Sequence, residues 1–218
     1  TASIPDQTKQ CSGRGRIHPR QLFYDASRGK LTMVTQLPGF TDTVHDAQIT
    51  FRALLNALAR PGIIQTTVSP SHPAGLESGC AAACLALLDL ETVVWLQPWL
   101  VFHTGCRFTE NPQSANFALI KNINSAPKLS EFSWGTSEYP ESSTSLLLQL
   151  SGLTGGENVI LQGPGILDTI ATDLPLSSIF WQQWEAMTVE YPLGLDCWCF
   201  SQNQVVGLPR TAKPMTTF

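Results

Sequence analysis

From residue 44 to residue 97 the sequence alternates between a helical and an extended hydrophobic period, which restricts the chain to folds that mix helices with a sheet. Thr41, Asp42 and Thr43 offer N-caps for a helix over 44–59. Its apolar set Ala47, Phe51, Leu54, Leu55 and Leu58 falls on one helical face, and Pro61-Gly62 ends it. GIIQTTV (62–68) reads as a strand. A second helix fits 76–89, where Leu76, Cys80, Ala83, Cys84, Leu87 and Leu88 recur at helical spacing. TVVWLQ (92–97) is a β-branched run without alternation, the pattern of a strand buried on both faces. Downstream, FHTG (102–105) reads as a strand end or turn. NPQSANFALI (111–120) reads as a short helix leading into a strand, and LSEFSW (129–134) as another short helix. STSLLLQLSGL and ENVILQG flank Thr154-Gly155-Gly156, the signature of a hairpin. A helix is expected over 177–189, with Ile179, Phe180, Trp184 and Met187 on one side. A closing hairpin turns through Gln202 and Asn203. The predicted fold class is α/β, a mixed β-sheet flanked by helices in an α/β/α sandwich.

Composition narrows the setting. Charged residues are 14% of the chain, against roughly 25% in an average soluble protein. A surface this poor in charge desolvates easily and suits burial against partners. No apolar run approaches the roughly 20 residues of a membrane helix, and the first 30 residues hold no apolar signal core. Cys11, Cys80, Cys84, Cys106, Cys197 and Cys199 do not form a disulfide framework in a chain this rich in core residues. The expectation is a cytoplasmic protein that binds neither membrane nor nucleic acid. Residues 1–32 carry six basic and two acidic side chains, and the remainder seven basic and fifteen acidic. That basic, aperiodic start reads as a disordered or non-native leader, with one domain over 33–218 opening at Met33.

DAQITFRALLNALARPG (46–62) resembles the opening signature of the bacterial carbon–phosphorus lyase H subunits, through Gln48, Phe51, Arg52, Leu54, Leu55, Pro61 and Gly62. LALLDLETVVWL (85–96), FHTG, then Pro112, Ala115 and Phe117 match next, followed by LQGPGI (161–166), YPLGLD (191–196) and GLPRT (207–211). Val101 stands where an arginine is common in that family, and Ala212 where a second threonine is common. The resemblance implies a fold similar to the large domain of pyridoxal-phosphate transferases, with the cofactor site gone. It implies a homodimer that joins three other subunits of the lyase core. It also implies a role in forming ribose 1-alkylphosphonate 5-triphosphate from ATP and a phosphonate, without catalysis by this subunit alone.

The residues themselves restrict the chemistry. Pyridoxal phosphate needs a Schiff-base lysine. Beyond the leader only Lys121, Lys128 and Lys213 remain, and Lys121 at a predicted strand end reads as a solvated flank. No cofactor is expected. Cys197 with Cys199 and Cys80 with Cys84 share faces at strand and helix spacing, but lack zinc-site spacing and read as core. No G-x-S-x-G elbow follows a strand. Gly163-Pro164-Gly165 reads as a sharp turn, because Pro164 lacks an N–H and no Walker lysine follows. No residue is expected to be catalytic and none to bind metal. Arg52, His103 and Arg210 are the candidate substrate or partner contacts, because an acidic body can hold anions only through specific guanidinium or imidazole groups. The alternative is a small-molecule enzyme with an anion site near those three. Low charge and six tryptophans point to buried partner surfaces, with at least one of Trp99, Trp134 or Trp181 exposed in the monomer.

Overall fold

Alternating apolar and polar periods resolve into one seven-stranded sheet with elements on both faces. The computed structural model describes residues 21–25, 30–34, 39–72, 74–95 and 104–215. The chain divides into two units, residues 1–37 and 38–218. The first contains an antiparallel hairpin, β1 (Gln21–Asp25) and β2 (Lys30–Val34), with Asp25 opposite Lys30. The sequence reading assigned no regular structure there, and Met33 lies within β2.

The second unit carries helices α1 (His45–Ala59), α2 (Ser78–Leu87) and α3 (Ser178–Thr188). Its main sheet begins with β3 (Gln65–Thr66), β4 (Val93–Trp95), β5 (Arg107–Thr109) and β6 (Phe117–Ile120). It is completed by β7 (Ser145–Gln149), β10 (Asp196–Ser201) and β11 (Gln204–Leu208). The order is β3-β11-β10-β7-β6-β4-β5. Five strands, β10 through β5, run parallel, while β11 and β3 are antiparallel additions at one edge. A separate antiparallel sheet holds β8 (Val159–Gln162), β9 (Ile170–Thr172) and β12 (Lys213–Pro214). No helix among the described residues is long and apolar enough to cross a membrane.

Side-chain alternation splits the core in two. Ala118, Ile120, Leu146, Leu148, Cys197, Cys199, Val206 and Leu208 face α3 and the small sheet. Leu119, Leu147, Trp198, Phe200 and Val205 face α1 and α2. The expected mixed sheet flanked by helices is therefore present, with the three-stranded sheet sharing one flank. The closing hairpin turns at Gln202-Asn203, as the sequence predicts.

Three expectations need correction. β7 and β8 do not form a hairpin. Leu146, Leu147 and Leu148 are all fully buried, so β7 needs both faces covered and sits between β6 and β10. β8 alternates buried Val159 and Leu161 with exposed Ile160 and Gln162, a half-buried pattern that suits a sheet with one wet face. The buried face of α1 is Thr50, Ala53, Leu54 and Ala57, while Phe51 and Leu55 are 52% and 57% exposed. The cause is close packing: a Cβ at Gly207 in β11 would overlap the Ala57 backbone, so only small side chains fit between helix and sheet. Trp181 is buried completely, alongside Trp184, so it presents no surface. Ile179 points outward instead. Trp134 is half-buried and donates its indole N–H to Leu129 O, and Trp99 lies outside the described residues.

Candidate functional site: a cleft built from three glycine- and proline-bearing segments

The turn at 163–166 is fixed by what it touches. Ile166 N–H closes it onto Gly163 O at 3.1 Å. Gly163 has φ +149°, and a Cβ there would overlap Thr211 O. Gly165 has φ +83°, and a Cβ there would overlap Ala59 O at the end of α1. Neither position accepts a side chain, so the turn is held between α1 and the segment that follows β11.

Arg210 fixes the opposite wall. Its Nε and Nη2 bond Asp196 Oδ2 at 3.2 and 2.6 Å, and its own backbone N–H bonds Asp196 Oδ1 at 2.9 Å. Nη1 donates to Pro140 O at 2.8 Å and Pro192 O at 3.2 Å, and Nη2 to Ser143 Oγ at 2.7 Å. The Arg210 side chain is 13% exposed, and its guanidinium donors are committed to the chain's own carboxylate, hydroxyl and carbonyls. It ties three segments together. Behind them Trp184 Nε1 donates to Ala212 O at 3.0 Å, docking the same segment on α3.

Between these walls lies an open cleft of about 560 Å³. Its lining comes from the turn at 162–168, from Tyr191, and from Thr211 and Lys213. These residues belong to or border LQGPGI, YPLGLD and GLPRT, so three segments far apart in sequence meet here. Gln162, Asp168, Tyr191, Thr211 and Lys213 make no side-chain hydrogen bond or ion pair among the described residues. The arrangement offers one ammonium, one carboxylate, hydroxyls and an amide around an apolar wall of Ile166, Leu167 and Pro164. Sequence reasoning missed this site. Its signal was present in the three motifs, but their convergence depends on the strand order.

The three residues predicted from sequence do not form one site among the described residues. Arg52 is exposed on α1, on the flank of the sheet opposite α3, and has no hydrogen-bond or ion-pair partner among the described residues. His103 lies outside the described residues. Arg210 sits behind the cleft wall.

Among the described residues, Cys80, Cys84, Cys106, Cys197 and Cys199 are core residues. Cys197 and Cys199 are fully buried with sulfurs 3.9 Å apart, and burial followed by the Cys199 contact pushes the Cys197 thiol well above its ordinary range. Burial does the same to Cys80, reinforced by Cys84. Such thiols stay protonated near neutral pH and are poor nucleophiles. Among the described residues no group of three or more His, Cys, Asp or Glu is arranged to hold a metal ion.

Comparison with known proteins places this arrangement. The profile of the family described as "Bacterial phosphonate metabolism protein (PhnH)" matches residues 38–214, the span that holds the main sheet and the cleft. The alpha-D-ribose 1-methylphosphonate 5-triphosphate synthase subunit PhnH of Rhizobium meliloti (strain 1021) is 37% identical over 187 residues, 80% of this chain and 92% of that protein. The provisionally named C-P lyase subunit protein HtxG of Stutzerimonas stutzeri is 27% identical over 181 residues, 75% of this chain and 83% of that protein. With the family profile spanning the whole described body after residue 37, and a relative of this identity matched over nearly its full length, the chain belongs to the PhnH family of bacterial phosphonate metabolism proteins.

Proposed function

We propose that this chain is a subunit of the carbon–phosphorus lyase core in organic phosphonate catabolism. It is needed to form ribose 1-alkylphosphonate 5-triphosphate from ATP and a phosphonate, and is not catalytic on its own. The observation that carries this reading is the 37% identity spread over 92% of a synthase subunit. Two structural facts support a subunit without its own chemistry. Arg210 is committed to internal bonds, and the Cys80 and Cys197 thiols are buried with raised pKa values. The chain acts in the cytoplasm, and residues 1–32 are dispensable to this role. Its seven-stranded, largely parallel sheet supports descent from a pyridoxal-phosphate transferase domain that has lost its cofactor site.

The partner-binding surface is the outer face of α1. Val44, Phe51 and Leu55 are all more than half exposed and fall on one helical face, with the exposed Arg52 beside it. An apolar stripe flanked by one guanidinium is the composition of an interface core. The protein forms a homodimer, and its remaining surface meets other lyase core subunits.

An omission assay tests the function. Synthase activity reconstituted from the core subunits should vanish without this chain and return when it is added. The chain alone should yield no product. Product formed by the isolated chain would replace the subunit reading with the enzyme reading.

A further inference from the structure

We infer that the cleft between the 163–166 turn, Tyr191 and Lys213 is a binding site for a ribose bearing a phosphate or phosphonate group. This rests on the proposed role in phosphonate ribosylation, since that role supplies the ligand class. The geometry supplies the site.

Pre-formation is the first point. Gly163 and Gly165 each lie where a Cβ would overlap a neighbouring carbonyl oxygen, so the turn is seated on both sides before any ligand arrives. Arg210 holds Pro192 O, and with it the segment that presents Tyr191. Arg210 is thus a positioning residue for the cleft and not a ligand contact. Recognition sites formed in advance lose less to ordering on binding.

The chemistry of the lining is the second point. Lys213 is the one cationic side chain in the lining, and with Thr211 it can meet a phosphoryl or phosphonyl oxygen. Asp168 and the Gln162 amide suit the vicinal hydroxyls of a sugar, one as acceptor and the other as donor and acceptor. Ile166 and Tyr191 offer apolar surface to the C–H face of the ring. All four polar partners are free of hydrogen bonds and ion pairs among the described residues, whereas the neighbouring Arg210 has none to offer. A volume of about 560 Å³ exceeds a pentose phosphate and leaves room for a longer phosphate chain. A bare anion would satisfy only Lys213 and Thr211, and a neutral sugar would leave the Lys213 ammonium unmet.

The test is calorimetric titration of the full chain with ribose 5-phosphate, methylphosphonate, inorganic phosphate and ribose as separate probes. Ribose 5-phosphate should bind saturably, with a Kd on the order of 1 mM set by an open site and a single cation. Each of the other probes should bind at least about tenfold more weakly, because each lacks one end of the recognition. Lys213→Met should weaken ribose 5-phosphate by about tenfold, the effect of one charge-assisted hydrogen bond. Asp168→Asn should weaken ribose 5-phosphate while leaving phosphate unchanged. Lys128→Met, on a loop outside the cleft, should change nothing. No saturable binding of ribose 5-phosphate by the full chain would overturn the proposal, as would binding that neither cleft variant alters. Equal affinity for inorganic phosphate would overturn the sugar assignment. The subunit reading fails separately, through loss of co-elution with the core subunits, which Lys213→Met is expected to leave intact.

Discussion

Arg210 donates through all three nitrogens of its guanidinium, and its partners come from two separate stretches of chain, 140–143 and 192–196. Both members of its ion pair with Asp196 are at least three-quarters buried. Removing the arginine leaves a carboxylate and a hydroxyl with unmet bonds in a place water reaches poorly. Arg210→Ala is expected to destabilise the fold by about 3 kcal/mol, read from urea unfolding. Lysine at the same position cannot make the forked contact and should recover little of it. A loss within about 0.5 kcal/mol, the range of ordinary surface changes, would show that the clamp is not holding these segments. A second residue-scale prediction concerns acid. Asp42 Oδ1 accepts the Val44 and His45 N–H groups, and its Oδ2 meets His45 Nδ1 at 2.8 Å. The His45 backbone bond, then its side chain, holds the Asp42 carboxyl below its ordinary 3.8. Its contribution is therefore complete above the ordinary carboxylate pKa and is lost as pH falls through the lower, folded value. Asp42→Asn keeps an acceptor in the turn before α1 but cannot titrate, so the melting temperature should fall less steeply below pH 4 than in the parent. The sequence offered Asp42 as an N-cap, whereas the N-cap is Val44 and Asp42 closes the turn just before it. The role of Arg210 was not legible in the sequence, because its partners lie 14, 67 and 70 residues away.

At the scale of elements, small residues and one tryptophan decide how α1 meets the sheet. Trp198 in β10 donates its indole N–H to Leu54 O at 2.9 Å, inside the helix. Beside it, Gly207 leaves no space for even a methyl group against Ala57 and Leu58. Gly207→Ala is expected to push the helix off the sheet and destabilise by about 3 kcal/mol, the upper end of overpacking costs. Trp198→Phe keeps most of the apolar volume and should lose only about 1 kcal/mol with the hydrogen bond. Equal effects from the two variants would mean that contact distance does not govern this junction. The sequence pattern identified α1 but turned its buried face wrongly, because periodicity weighs Phe51 and Leu55 as core and cannot see that Gly207 lets the Ala57 backbone approach the sheet. The same limit explains the misplaced hairpin. Both β7 and β8 were read as strands correctly, yet the leucine run that buries β7 on two faces sends it to the parallel interior. The continuous apolar character of that run was visible, and it outweighs the short turn that suggested pairing with β8.

For the whole molecule, the consequence of that rotated helix is an exposed apolar stripe. A free protein gains little by displaying Val44, Phe51 and Leu55 to water, whereas an assembly gains by covering them. Leu55→Glu changes a residue that is 57% exposed, so it should leave the melting temperature within a few degrees of the parent while breaking association. Retained association would move the interface away from α1. Family membership was legible from motif order alone, because LQGPGI, YPLGLD and GLPRT survive as recognisable strings. Their meeting at one cleft was not, since it follows from the antiparallel strand β11 and the separate sheet of β8, β9 and β12. The central claim is that this chain works inside an assembly. Size-exclusion chromatography with light scattering, on the purified chain mixed with the other lyase core subunits, tests it most directly. The account predicts a homodimer when the chain is alone at tens of micromolar, and co-elution with the core subunits in one peak when they are mixed. A monomer that elutes apart from those subunits, at the same concentration and in the same buffer, would contradict it.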